Sequence, residues 1–579
     1  MSTKILTGTY SAGYALQAPV STLSITASGY VEGAGVATAS GATSAYTVVN
    51  DGRIVAASQA TGVYLGDGGA VTNGSAGATS ALVSGYRGIE VQNAAGTVAN
   101  FGTIVGTARS AVFLASGGVV TNGGVSDAAA AIIGSNGVFI DYSFTDRLGT
   151  VVNFGLIAGA ASHSGHAGIY FSRGLGNGGF GAVANGSPDD PTASISGYSG
   201  VVAEGNASIG NFGSIIGLGG QGGSGVFVRS SGEVVNGASG QTRALIRGFT
   251  GVTLGDAFAT LTNFGTISGS GGTAVNLEGA GDALMVEAGC VFVGAVSGGG
   301  GLLDLASGTG TLSNLAGGNV TVSGSTATTS FTNFGTVEVG AGAQFSLPAG
   351  GSLTASQTLI VAGALTEEGT LANAGVITVA GQGSLAVDGT LTDTGAGVVM
   401  VAAGGVVGLR GDLGGPGDMV FDAGSTLTGQ GVISFSTFTA DGTIIATGGA
   451  VTFTGSATFA GSVTGVGTLA FAGGSEVIDA GANFAVANWA LSGGAATSLD
   501  TSLTYAGAFA LGAGSSLTIA TGDTLTLSGS SSTIAGAISG PGAVAFAAGV
   551  ATIGAGGALG APTISVLAGA TVSFSESLT

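Results

Sequence analysis

Cysteine, proline and positive charge are nearly missing from this sequence, and each absence removes a class of protein. A single cysteine, Cys290, rules out a disulfide within the chain and reads as a buried small hydrophobe. Avoidance of cysteine also fits an exported protein. Seven prolines, with no glycine at every third position, exclude collagen. Ten basic residues stand against 30 acidic ones, and beyond Arg247 the only cation is Arg410. Phosphate neutralisation needs clustered Lys and Arg, so nucleic acid is not an expected partner, and anionic lipid fails for the same reason. The net charge of −20 reads as solubility and self-repulsion.

Long apolar runs and helical periodicity are missing too. Glycine interrupts nearly every window at intervals too short for a helix. No stretch of about 18 apolar residues escapes Gly, Ser or Thr, so membrane insertion by helices is not expected. The N-terminal stretch "MSTKILTGTYSAGYALQAPV" carries no apolar core of a signal peptide.

What is present is glycine and small β-formers. There are 118 glycines, yet hydrophobic residues make up 45% and charged residues only 7%, which is not the composition of a disordered chain. The sequence repeats. Asn-Phe-Gly occurs at Asn100, Asn153, Asn211, Asn263 and Asn333, each time with a branched aliphatic two residues on, and a weaker "NAGVI" begins at Asn373. The first four copies lie 53, 58 and 52 residues apart. A plainer Asn-Gly falls between them at Asn73, Asn122, Asn185 and Asn236, so the interleaved steps are 22 to 32 residues. Two further elements recur: "ALVSGYRGIEV", "AIIGSNGVFI", "ASISGYSGVVA" and "ALIRGFTGVTL", and then "SAVFL", "AGIYF", "SGVFV" and "TAVNL".

A unit of roughly 53 residues therefore holds two similar coils of short, alternating strands. Such strands bury a core only when coil stacks on coil. The expected fold is all-β: a parallel β-helix or β-solenoid, right-handed by the general rule for parallel crossovers, without significant helix. Residues 1–30 read as entry strands, 31–280 as the two-coil repeat and 281–579 as a continuing solenoid of shorter, looser coils. At about 4.8 Å per coil the expected rod is on the order of 110–140 Å long.

The repeats "FAGSVTGVGTLAFAGG" and "IAGAISGPGAVAFAAG" resemble those of bacterial autotransporter passengers. The segment "EGAGDALMVEAGCVFVGAVSGGGGLLDLASGTGTLSNL" with "FTNFGTVEVGAGAQFSL" is similar to repeats of large alphaproteobacterial β-solenoid exoproteins. The resemblance covers about 300 residues directly, and implies a secreted or cell-surface bacterial protein. With neither leader nor translocation barrel visible, a passenger segment or a leaderless exported protein is expected.

Catalytic and metal-binding patterns are thin. His163 and His166 form a His-x-x-His pair without further ligands and read as a polar corner loop. The adjacent carboxylates Asp189–Asp190 and Glu367–Glu368 would point to opposite faces on a strand and be solvated on a turn. "DYSFTDRLG" from Asp141, with Asp146 and Arg147, is the best cluster for a β-helix polysaccharide lyase or hydrolase. "LGDGGA" at Leu65 and "GAGDAL" at Gly279 are single degenerate versions of a calcium repeat, which leaves calcium as the one cofactor candidate.

The expected function is a non-enzymatic extracellular or cell-surface structural and adhesive protein, with carbohydrate or a surface ligand as partner. The alternative is a filament subunit that self-associates end to end through exposed strands. No catalytic residue is expected. Asn100, Phe101, Gly102, Asn153, Phe154, Gly155, Asn211, Phe212, Gly213, Asn263, Phe264, Gly265, Asn333, Phe334 and Gly335 read as scaffold corners. In this reading Gly supplies a positive φ, Asn forms a ladder, and the strong copies alternate with Asn-Gly along one edge.

Overall fold

The computed structural model describes residues 2–76, 79–125, 127–142, 148–173, 179–255, 258–324 and 328–575. Among them the chain is all-β, with one 3-10 turn at Ala316–Gly318 and no α-helix. Among the described residues no helix is long and apolar enough to cross a membrane. The chain forms a β-solenoid of stacked parallel coils, divided into two compact units. The first is Met1–Asp304 with Thr329–Phe334; the second is Leu305–Thr328 with Gly335–Thr579.

In the first unit a coil consists of three short strands. One coil runs through Tyr46–Asn50, Arg53–Val55 and Val63–Leu65, the next through Gly69–Asn73, Leu82–Gly85 and Ile89–Val91. Each strand pairs in parallel with its counterpart one coil away. Alternation turns every second residue inward, and exact register stacks like on like. Val48, Val71, Val98, Val120, Val151 and Val183 form one such column and are at most 4% exposed. Ile54, Val83, Ile104, Ile132, Ile157 and Ile195 form a second. Each buried aliphatic contributes roughly 1.5–3 kcal/mol, which no isolated three-residue strand could secure.

The corner between the first and second strands carries the asparagines. Asn50, Asn73, Asn100, Asn122, Asn153, Asn185, Asn211, Asn236 and Asn263 are 0–1% exposed. Each Nδ2 before that of Asn263 donates to the next asparagine's Oδ1 at 2.8–2.9 Å. Asn-Phe-Gly and Asn-Gly corners alternate along this edge as the interleaved spacing predicts. The amides all point the same way, so each bond polarises the next. The column ends where Val286 takes the Asn register position opposite Asn263.

Glycine acts differently at the two corners, which corrects one expectation. The Asn-Gly corners at Gly74, Gly123, Gly186 and Gly237 do adopt positive φ, between 75° and 87°. Gly102, Gly155, Gly213 and Gly265 of Asn-Phe-Gly do not. There a Cβ would lie 2.1–2.3 Å from the carbonyl oxygen of Ala81, Ala130, Ala193 or Ala244. Close backbone approach, not backbone handedness, demands glycine at those four sites.

The fifth copy also departs from expectation. Asn333 is exposed, with φ +59°, and Phe334 is buried instead. Phe334 packs against Phe331 (ring centroids 6.4 Å apart) and over Gly298, where a Cβ would meet its ring at 2.3 Å. The corner is turned inside out because the ring, not the amide, fills the interior. Cys290 is half-buried rather than fully buried.

The second unit has shorter coils and a more aromatic interior. Val337, Leu359, Ile377, Val399 and Met419 form one inward column. Further on, Phe421, Phe438, Phe453, Phe459, Phe471 and Phe484 pack edge to face or tilted down to Trp489. An antiparallel pair joins Thr311–Leu312 to Val322–Ser323. Asn373 starts a shorter polar column by donating to Asp393 Oδ1 at 2.7 Å.

Candidate functional site

The third strand of each coil in the first unit holds two inward aliphatics with one outward residue between them. Perfect register lines up these outward residues: Tyr64, Glu90, Phe113, Phe139, Tyr170, Val202 and Phe227. Four of the six positions from Glu90 onward are aromatic, and the rings of Phe113, Phe139 and Tyr170 touch. Phe113 and Phe139 lie 5.3 Å apart at 73°, and Phe139 and Tyr170 lie 5.1 Å apart at 80°. Edge-to-face contacts of this kind add about 0.5–1.5 kcal/mol per pair beyond area burial.

Cations gather along this column although the chain is strongly acidic. The Arg87 guanidinium lies 4.2 Å over the Phe113 ring, and its Nη1 is 2.7 Å from Glu90 Oε1. Gln92 Nε2 donates to the same Glu90 oxygen at 2.6 Å. Arg109 donates from Nε to the Tyr86 hydroxyl at 3.0 Å. Arg229 sits 5.6 Å over the Phe227 ring and pairs through Nε with Glu204 Oε2. Tyr170 donates to Glu204 Oε1 at 3.5 Å. Burial, and then the Glu204 carboxylate, push the Tyr170 phenol up, so it remains a donor at neutral pH.

A cavity of about 350 Å³ opens on this face, lined by Tyr170, Val202, Phe227, Tyr198, Glu204 and Arg229 among others. His166 also borders it; burial first, and then His163 and Arg109, hold its imidazole below the ordinary value. A cavity of about 410 Å³ in the second unit, around Asp388, Arg410 and Gln430, has no aromatic wall.

The other sequence candidates fall elsewhere. The Asn-Phe-Gly corners lie on the edge between first and second strands, with Phe101, Phe154, Phe212 and Phe264 half-buried and not in ring contact. Asp282 of "GAGDAL" spends its carboxylate on the backbone N–H groups of Ala259 and Gly279, at 2.9 and 3.0 Å. It is a corner brace. Asp189 is exposed, whereas Asp190, expected to be solvated, is 7% exposed and accepts from the Thr192 hydroxyl at 2.6 Å. Glu368 is exposed, whereas Glu367, the last residue of the strand Ala364–Glu367, is fully buried between Leu347 and Val387. Strand alternation turns Glu367 inward at the end of Ala364–Glu367, whereas Asp189 and Asp190 sit in a turn closed by the Ser187–Asp190 bridge. Asp141 accepts from Ser172 Oγ at 2.5 Å, and its neighbours Asp146 and Arg147 lie outside the described residues. His163 and His166 have ring centroids 5.4 Å apart. Among the described residues no three His, Cys, Asp or Glu side chains group to hold a metal.

The outward column is what sequence reading missed. Its signal was present as the fourth letter of "SAVFL", "AGIYF" and "SGVFV": an aromatic flanked by inward aliphatics, repeated on every second coil. No family model and no curated protein matches the chain.

Proposed function

We propose that the chain is a non-enzymatic structural and adhesive β-solenoid of a bacterial cell surface or extracellular matrix, and that it holds carbohydrate on the third-strand face of its first unit. The carrying observation is the column of Phe139, Tyr170 and Phe227, with Arg229 over the Phe227 ring and Phe113 buried beneath Arg87 at its end. Rings with adjacent charged groups present apolar faces and hydrogen-bonding edges together, which suits sugars. A β-solenoid repeats the same surface at every coil, so weak contacts accumulate along a polymer. The charge distribution and the resemblance of the repeats to passenger and exoprotein repeats favour an extracellular setting. Glu90 and Glu204 are both engaged by arginines, which favours binding over hydrolysis.

The test is retention of the purified chain on insoluble neutral polysaccharides, with product release followed in parallel. Retention that is lost in a Phe139→Ser/Tyr170→Ser double variant, without release of reducing ends, is the expected result. Equal retention of the variant removes the column from the function.

A further inference from the structure

The aromatic column has one gap. Between Tyr170 and Phe227 the register position belongs to Val202. Its side chain stops short of its neighbours, and the 350 Å³ cavity lies there. Two coil rises separate Tyr170 from Phe227, roughly 9–10 Å. That is close to the width of one six-membered ring in contact with a wall on each side, at about 3.5–4 Å per contact. Val202 forms the floor. Tyr198 borders one end, its hydroxyl fixed by donation to Gln221 O at 2.6 Å. At the other end Glu204 and Arg229 stand paired, with the Tyr170 hydroxyl beside them.

We propose that this slot is a subsite for a single pyranose ring of a neutral polysaccharide. The inference rests on the carbohydrate reading above and names the place and the sugar class. The two rings supply apolar walls for the C–H faces of the sugar. The carboxylate accepts and the guanidinium fork donates at one edge, so a pair of vicinal hydroxyls meets complementary groups. Neutrality follows from the local pairing: Glu204 cancels Arg229 at the mouth.

Val202→Phe is the decisive variant. It extends the ring column that Phe113 and Phe139 already form on neighbouring coils, and it fills the slot. Trisaccharides of glucose, galactose and mannose, and of galacturonate as the acidic control, are titrated into the full chain by calorimetry and saturation-transfer NMR. At least one neutral trisaccharide is expected to bind, with tenfold or greater loss in Val202→Phe and in Phe227→Ala, and the galacturonate trimer is expected to bind more weakly. Unchanged affinity in both variants, tighter binding of the galacturonate trimer, or no saccharide binding overturns the slot. Polysaccharide retention, measured on the same proteins, separates the two ideas. Retention without trisaccharide binding sinks the slot alone; loss of both sinks the carbohydrate reading with it. Phe227→Ala keeps the test decisive if Val202→Phe melts early.

Discussion

Asn100 donates from Nδ2 to Oδ1 of Asn122, one coil further on, at 2.8 Å. The two residues are 22 apart in sequence and both are shut off from water. The same amide also donates to Gly102 O and Ala131 O, so one side chain ties together a corner and two coils.

An interior break of this ladder should cost more than an end break. Asn122→Ala removes the acceptor of Asn100 Nδ2 and the donor to Asn153 Oδ1. Leaving buried partners short costs about 1–3 kcal/mol. Asn50, whose Oδ1 has no donor, serves only one ladder neighbour. Asn50→Ala is expected to cost less. Native-state hydrogen exchange around Gly118–Asn122 and Tyr46–Asn50 measures both, and the opposite order would refute the ladder's role.

The second unit should be more stable in mild acid than in mild alkali. Burial raises Glu367 and Glu476 to about 7 and Asp393 to about 6. A carboxyl raised on folding contributes stability that is full below its unfolded value near 4 and lost as pH climbs through its folded value. Denaturation midpoints at pH 5 are therefore expected to exceed those at pH 8. Glu367→Leu places an aliphatic where Leu347 and Val387 already stack, and should gain about 1–3 kcal/mol at pH 8 and reduce the slope. A flat profile in the wild-type chain counts against the buried acids.

Trp489 should report on that same unit. It is fully buried, with the rings of Phe509, Phe484 and Tyr505 centred 5.0, 5.2 and 5.6 Å away. Blue-shifted emission with weak acrylamide quenching is expected. Trp489→Ala should cost about 3–5 kcal/mol and Trp489→Phe clearly less. Red-shifted native emission would contradict the packing.

Cys290 offers a probe of the first unit. Burial, above the smaller influence of Glu287, raises its thiol to about 11. The thiolate is the reactive form, so a disulfide reagent at pH 8 should label it slowly in the native chain and rapidly after unfolding. Equal rates in both states would place the thiol in the open.

Much of the fold was legible because its determinants are local and repeated. The alternation of "GTVAN" or "GVVTN" marks inward positions without any knowledge of neighbours, and the interleaved asparagines give the coil length. The site was less legible. Phe113, Phe139 and Tyr170 look like ordinary β-formers in their own strands, and only stacking turns them into a surface. The carboxylates were hard to place for a related reason: Asp190 and Glu367 sit beside exposed twins, and composition does not say which of two adjacent carboxylates faces in.

By itself the sequence determined the strand period, the coil repeat and the asparagine edge, because each follows from short-range alternation and spacing. Tertiary structure alone decided what coil meets what coil. It made Gly102 and Gly155 necessary through the approach of Ala81 and Ala130, and turned Asn333 outward in favour of Phe334. It also set Val202 between two rings. Those outcomes depend on contacts between residues 20 or more positions apart, where register, and not local propensity, fixes the neighbour.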